Sequence, residues 1–222
     1  MKTKDYIILM ADIVSSRKSD QQTLMDNFKE VTDETNVHLK KYLLSPLTIT
    51  LGDEFQGVAK NIESAIALLF HIEENIIHKA YGFPLRFVVF EGRIDTPINK
   101  EIAYGMLGEG LTQAREALTQ TKITNSRYFF SLRNKPASAA LNNAIMIYQR
   151  MVDDWRMGKD YSLVSSFLKN PDYEKVAEEL EKTRSQIWKR KKSLKIEEYF
   201  AIKEVLTYIA DENISHNSHH DH

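Results

Sequence analysis

Two apolar segments that each run into an acidic residue place the strongest restriction on the fold. Residues 6–10 are continuously apolar and read as a buried strand, and Asp12 follows directly. Residues 47–58 are apolar and β-branched but are interrupted by Gly52 and Asp53, a pattern typical of two strands joined by a tight turn. If these strands are neighbours in one sheet, the carboxylates of Asp12 and Asp53 meet at one edge.

Two carboxylates at one edge form a candidate metal site. Proteins hold Mg²⁺ through one or two carboxylates together with substrate phosphates, so Mg²⁺ is the expected cation at Asp12 and Asp53. The alternative is structural, because Gly-Asp is common in hairpin turns and an aspartate at a strand end often caps the next helix. Spacing alone leaves both alternatives open.

Composition indicates the class of protein. The chain has 222 residues, 42% of them hydrophobic, which is enough for one large domain or two small ones. A net charge of −1 gives no overall attraction to nucleic acids or membranes, and the absence of cysteine excludes disulfides and thiolate metal sites. With no signal-peptide pattern and no apolar stretch long enough for a membrane span, we expect a cytoplasmic protein without a membrane partner.

Hydrophobic periodicity predicts the order strand, helix, hairpin, helix, strand. Apolar residues recur at helical spacing in residues 19–44 and 62–79, residues 85–95 form a further strand, and residues 126–132 an edge strand. This order is that of an α+β, ferredoxin-like sheet with helices packed on one face.

Three glycines stand before the next predicted helix. A short strand near residues 102–104 is expected to lead through Gly105, Gly108 and Gly110 into a helix that ends near Lys122. The glycine order is not that of the dinucleotide-binding fingerprint. The favoured explanation for the three glycines is the geometry of a turn, and the alternative is that they line a ligand cleft.

The pattern becomes helical throughout after residue 136. We therefore predict an α+β domain over residues 1–134, a helical connector and helix-turn-helix domain over residues 137–212, and a disordered histidine-rich tail over residues 213–222.

Residues 170–195 carry the signals of a helix-turn-helix. An Asn-Pro pair opens the first helix, and Thr183 and Gln186 form a capping box that opens the second. Six basic residues and no acid lie between Arg184 and Lys195, a local charge typical of DNA-binding helices. The residues assigned to DNA contacts are Arg184, Ser185, Gln186, Lys189, Arg190 and Lys192. The alternative is a solvated helical hairpin with its lysines facing the solvent. The turn also departs from the usual helix-turn-helix pattern, because many such turns carry a glycine where this chain has Glu181 and Lys182.

The segment MADIVSSR followed by ITLGDEFQGV resembles the first strand and central hairpin of class III nucleotide cyclases and GGDEF domains. More narrowly, the chain is similar to the SatD family over most of its length, including YGMLGEGLTQAREALTQTK and YEKVAEELEKTRSQIWKRKKSL. The resemblance implies a cyclase-like domain followed by a helix-turn-helix. It also implies that Asp12 and Asp53 hold the metal ions of a nucleoside triphosphate. The nucleotide contacts assigned beside them are Ser15, Ser16, Arg17 and Gly52.

Other cyclase positions are not matched. The purine-selecting lysine falls on Ile49, and the transition-state asparagine and arginine fall on Thr112 and Glu116, with Arg115 one position out of register. We therefore predict a non-catalytic, nucleotide- and metal-binding sensor coupled to a DNA-binding helix-turn-helix, a homodimeric transcriptional regulator. The alternative is a nucleotide cyclase or related metal-dependent phosphoryl-transfer enzyme. A third reading is a scaffold with vestigial acids.

Overall fold

The computed structural model describes residues 4–14, 20–124 and 126–217, and side chains as far as residue 211. Within these residues the strands are β1 (Asp5–Ile13), β2 (Leu43–Leu51), β3 (Glu54–Ala59), β4 (Leu85–Arg93) and β5 (Tyr128–Ser131). The helices are α1 (Gln21–His38), α2 (Ile62–His78), α3 (Glu109–Thr124), α4 (Lys135–Val152), α5 (Met157–Lys169), α6 (Tyr173–Glu179), α7 (Arg184–Ser193) and α8 (Ile196–Asn217), with one 3₁₀ turn at Lys40–Tyr42.

The strands form one sheet in the order β2-β3-β1-β4-β5. β1 is antiparallel to β3 and β4, and β5 lies parallel to β4 at the edge. β1 is the central strand because it pairs with β3 on one edge and β4 on the other. Both of its faces are buried, as its continuous apolar sequence indicates. The predicted mixed α+β class is confirmed, and the order of the first four strands is the ferredoxin-like one.

Helices cover both faces of the sheet, so the prediction that they pack on one face is wrong. Alternation along β1 sends Leu9 towards the core shared with α1 and α2. Ile8 and Met10 point to the other face, where they pack with Leu111 and Leu118 of α3. The apolar stripe of α3 is narrow, and sequence periodicity does not state which face of a sheet such a helix covers.

The glycines before α3 serve close packing and one turn. Residues 102–104 form no strand, and Gly105 has a φ of +74°, which favours glycine. A Cβ on Gly108 would lie 2.4 Å from the carbonyl oxygen of Arg93, and one on Gly110 would lie 2.7 Å from the Arg93 nitrogen. These glycines therefore let α3 approach β4 backbone to backbone.

The C-terminal helices share the core of the sheet. α5 and α8 pack on α2, and α4 packs on β5 and α8. Tyr199 of α8 lies 5.6 Å from Tyr148 and 5.2 Å from Trp155, measured between ring centroids. The indole Nε1 of Trp155 donates to the carbonyl of Leu194 at 2.9 Å. One apolar cluster therefore runs from β1 to α8, and a separate all-α domain is not shown.

Two further sequence predictions concern the ends of this region. The histidine-rich tail of residues 213–222 lies outside the described side chains. Among the described residues, no helix combines the length and apolar character that crossing a membrane requires.

Candidate functional site

Two buried carboxylates face each other across the central strands. The register of β1 and β3 sets Asp12 opposite Glu54, and that of β1 and β4 sets Asp12 opposite Arg86. Only 2% of Asp12 and 7% of Glu54 is exposed. Strand alternation puts this row on the α3 side of the sheet, one step beyond Met10. The site is therefore a charged row across three strands at the end of an apolar layer.

Three cations neutralise the two carboxylates. Lys122 Nζ lies 2.6 Å from Asp12 Oδ2, Arg86 Nη1 lies 3.4 Å from Asp12 Oδ1, and Arg115 Nη2 lies 3.1 Å from Glu54 Oε1. Lys122 and Arg115 are seven residues apart on α3, so they project from the same helix face. Their side chains are 48% and 46% exposed, whereas that of Arg86 is 13% exposed. The two α3 cations can thus leave the carboxylates without unpacking the core.

The donor set suits a cation that arrives with its own phosphate ligands. No group of three or more His, Asp or Glu side chains within the described ranges is arranged to hold a metal. Asp12 and Glu54 supply two hard carboxylates, and Mg²⁺ commonly takes one or two carboxylates plus phosphates and waters. The residues therefore fit nucleotide-bound Mg²⁺ better than a permanent metal cage.

The predicted site residues are distributed around this row. Asp53 lies in the β2–β3 turn, half-buried, and its carbonyl accepts from the Ile13 nitrogen at 2.9 Å. A Cβ on Gly52 would lie 3.2 Å from Met25 Cε, so this glycine also gives room to α1. The predicted nucleotide contacts Ser15, Ser16 and Arg17 lie outside the described residues.

Sequence reasoning did not assign Glu54, Arg86 and Lys122. Two signals were present: Arg86 is a charged residue inside an otherwise apolar strand, and Lys122 follows Arg115 by two helical turns. Neither signal identifies its partner, because pairing with Asp12 depends on strand register and on the face that α3 covers.

Of the two local helix-turn-helix signals, the capping box is present in the structure, whereas the Asn-Pro pair does not open the first helix: α6 begins after its N-cap Asp172. Thr183 and Gln186 form the predicted capping box, with both nitrogen–oxygen distances at 3.3 Å. Glu181, in the turn, has a φ of +51°, the conformation that a glycine would adopt without strain.

Acids from three other helices neutralise the basic run. Arg184 pairs with Glu174 at 3.2 Å, and Arg190 pairs with the buried Asp160 at 2.5 Å. Lys192 pairs with Glu197 at 2.5 Å. Of the other predicted DNA contacts, Ser185 and Lys189 are exposed, while Gln186 closes the capping box. The helix is basic in sequence but is largely compensated in the fold.

Several solved structures similar to the chain are nucleotide cyclases. A bacterial light-regulated adenylyl cyclase has 12% identity and a TM-score of 0.43, covering 59% of this chain and 77% of its own. The adenylyl cyclase CyaB from P. aeruginosa has 10% identity and a TM-score of 0.39, covering 54% and 73%. The guanylyl cyclase domain of the RhoGC fusion protein from the aquatic fungus Blastocladiella emersonii has 12% identity and a TM-score of 0.34, covering 54% and 78%.

The predicted DNA-binding transcriptional regulator is wrong. The similar structures reported above are described as adenylyl and guanylyl cyclases and not as DNA-binding proteins, and the C-terminal helices share the core of the sheet instead of forming a separate helix-turn-helix domain. The physical reason is that acids brought together by the fold neutralise the basic helix, which packs as part of the common core.

Sequence comparisons identify the family to which the chain belongs. No curated protein sequence matches the chain significantly. The family model described as the SatD family matches residues 6–209, which is nearly the whole chain. The chain therefore belongs to the SatD family.

Proposed function

We propose that the chain is a nucleotide cyclase or a related metal-dependent phosphoryl-transfer enzyme. The observation that carries the proposal is the buried pair of Asp12 and Glu54, in register on neighbouring strands and neutralised by cations on flexible side chains. The sequence resemblance of the first strand and hairpin to class III cyclases supports the same chemistry.

The acids have the role of holding the cation. Asp12 and Glu54, with Asp53 in the adjoining turn, would hold Mg²⁺, which when bound neutralises phosphate charge and orients the triphosphate. Carboxylates that bind the cation no longer need Lys122 and Arg115 as partners.

The α3 cations have the role of stabilising the leaving group. Lys122 and Arg115, once released, are placed beside the phosphates, where negative charge develops on the departing oxygen. The residues at the usual cyclase positions, Thr112 and Glu116, carry no positive charge and are unsuited to this role. Arg115 and Lys122 would replace them from neighbouring positions on the same helix.

The direct test is turnover of ATP and GTP with Mg²⁺ or Mn²⁺, followed as pyrophosphate release with mass-spectrometric identification of the product. We expect Asp12→Asn to lower kcat/KM at least ~100-fold and Lys122→Met to lower it by about 10²–10³-fold, the effect of removing one donor that stabilises developing charge. Glu116→Gln is the matched control on α3, because Glu116 is exposed, and should stay within about twofold of wild type.

A wild-type protein that neither binds a nucleoside triphosphate in a metal-dependent manner by calorimetry nor releases pyrophosphate would overturn the proposal. The homodimer predicted from the sequence is part of the same proposal. Light scattering at micromolar concentration, with and without nucleotide, tests that prediction.

A further inference from the structure

A cavity of about 390 Å³ lies where the ends of β1 and β4 meet α4 and α5. Its size falls in the range of small-molecule sites, roughly 300–1,000 Å³. Its walls combine apolar side chains with a few polar ones, and the residues used below are Arg86, Arg127, Val152, Trp155, Met157 and Tyr161.

Arg86 has unused hydrogen-bonding capacity beside this cavity. Its guanidinium carries five N–H donors, and its side chain is only 13% exposed. Among the described residues, that side chain makes one hydrogen bond, to Asp12, at the long distance of 3.4 Å. A largely buried cation with unfilled donors favours an anionic partner, and carboxylates and phosphates match the guanidinium fork.

Arg127, the other guanidinium in the wall, is already satisfied. It donates to Glu73 at 2.6 Å, to Asp153 at 2.5 Å and to the carbonyl of Leu85 at 2.9 Å. An anion in the cavity would repel those acids near Arg127, so Arg86 is the cation available to bind it.

The rest of the wall suits an apolar or aromatic body. Val152 and Trp155 are buried side chains of the wall, and Met157 lies at its more exposed side. The hydroxyl of Tyr161 has no hydrogen-bond partner among the described residues. Burial raises the pKa of Tyr161, so the hydroxyl stays protonated and able to donate at neutral pH.

We propose that this cavity binds a small organic anion, a carboxylate or phosphate carried on an apolar or aromatic body. Arg86 binds the anionic group and Tyr161 donates to the ligand. The cavity is distinct from the proposed triphosphate site, and Arg86 connects the two, because it lines the cavity and pairs with Asp12 of the triphosphate site. The ligand therefore competes with Asp12 for this guanidinium.

Tryptophan fluorescence reports ligand binding in the cavity directly. The chain has two tryptophans, and Trp188 is exposed on α7, so Trp188→Phe leaves Trp155 in the cavity wall as the only one. This variant would be titrated with phenyl phosphate, benzoate and inorganic phosphate at constant ionic strength. We expect a saturable change with at least one aromatic anion, at an affinity about tenfold or more above that of inorganic phosphate, because the apolar body is buried. The first two probes distinguish a phosphate ligand from a carboxylate ligand.

Variants in the same background test the assigned roles. Arg86→Gln should weaken binding by about 10-fold or more, since a charge-assisted contact is lost, and Tyr161→Phe should weaken it several-fold. Asp12→Asn should instead strengthen binding, because it removes the competing carboxylate. Arg150→Gln is the control, since Arg150 is exposed on α4 and outside the cavity wall. The affinity of this variant for the aromatic anion should be unchanged.

Two results would overturn the proposal: no saturable fluorescence change with either aromatic anion, or an equal loss of affinity in Arg86→Gln and Arg150→Gln. If circular dichroism shows that Arg86→Gln is unfolded, the test is the affinity of the other two variants, which should be lower in Tyr161→Phe and higher in Asp12→Asn. None of these measurements uses a metal or a nucleotide, so failure here and failure of the proposed function are distinguishable.

Discussion

At the scale of single residues, Arg127 is the polar centre of the core. Its guanidinium joins Glu73 of α2, Asp153 next to α4 and the carbonyl of Leu85 in β4. Burial raises the pKa of Glu73, and the nearby Arg127 charge opposes that rise. The buried charges of Arg127 and Glu73 are tolerated because each compensates the other.

Removing one partner should therefore be costly. We expect Arg127→Leu to lower the free energy of unfolding by about 3–5 kcal/mol, because Glu73 is left buried without a counter-charge. The double variant Arg127→Leu/Glu73→Leu should recover much of this loss. Urea unfolding followed by circular dichroism measures both values.

The control for that prediction is a surface pair. Lys29 and Asp33 are both exposed and pair along α1, so Lys29→Leu should cost no more than about 1 kcal/mol. Equal losses in Arg127→Leu and Lys29→Leu would contradict the role given to the buried cluster.

A second residue-scale prediction concerns pH. Burial lowers the pKa of His71, the His38 ring 5.8 Å away adds to the lowering, and Glu74 and Glu34 oppose it. Burial also lowers the pKa of His78. The unfolded state therefore binds protons that the folded state does not, and stability falls as pH drops below the unfolded value of about 6.5.

Urea unfolding between pH 7.5 and 5.5 checks this dependence. His71→Gln should reduce the slope of unfolding free energy against pH, and His71→Gln/His78→Gln should reduce it further. An unchanged slope in the double variant would show that other groups cause the dependence.

At the scale of elements, the end of α2 shows strain that a single substitution relieves. Ala80 has a φ of +52° and is exposed, and its nitrogen donates to the Ile77 carbonyl while the Tyr81 nitrogen donates to that of Ile76. This is a Schellman-type cap, whose left-handed position usually carries glycine. The sequence predicted the stop at Gly82, two residues later.

Ala80→Gly should stabilise the protein by about 0.5–1 kcal/mol, since glycine removes the left-handed strain. Ala201→Gly, at an exposed position inside α8, is the matched control and should destabilise by about 1 kcal/mol. Melting temperatures that shift in the same direction for both variants would contradict this account.

At the scale of the whole molecule, the continuous core links the predicted domains. The predicted boundary near residue 135 falls between β5 and α4, but α5 and α8 cover the outer side of α2. Tyr199 of α8 reaches back to α2, and its hydroxyl donates to Glu74 at 2.7 Å. A fragment of residues 1–134 would therefore expose apolar surface of α2.

We expect this fragment to lack the cooperative unfolding transition of the full chain and to bind a hydrophobic dye that the full chain does not bind. Denaturation monitored by circular dichroism, with dye fluorescence alongside, checks this. A fragment with a sharp transition near that of the full chain would show that the first domain folds alone.

The sequence by itself determined the features that depend on near neighbours. Alternating and helical periodicities predicted the strands and most helices, and the continuous apolar run predicted that β1 is a buried strand. Thr183 and Gln186 predicted a capping box because both groups lie within one helical turn. Asp12 was a candidate because it ends a buried strand.

Tertiary structure alone decided the charge partners. Asp12 meets Arg86, 74 residues away in the chain, because β1 and β4 pair in one register. It meets Lys122 because α3 covers that face of the sheet. Arg190 likewise meets Asp160, 30 residues earlier, which turned an apparent DNA-binding helix into a compensated one. Charge interactions depend on distance in space, and sequence patterns report only distance along the chain.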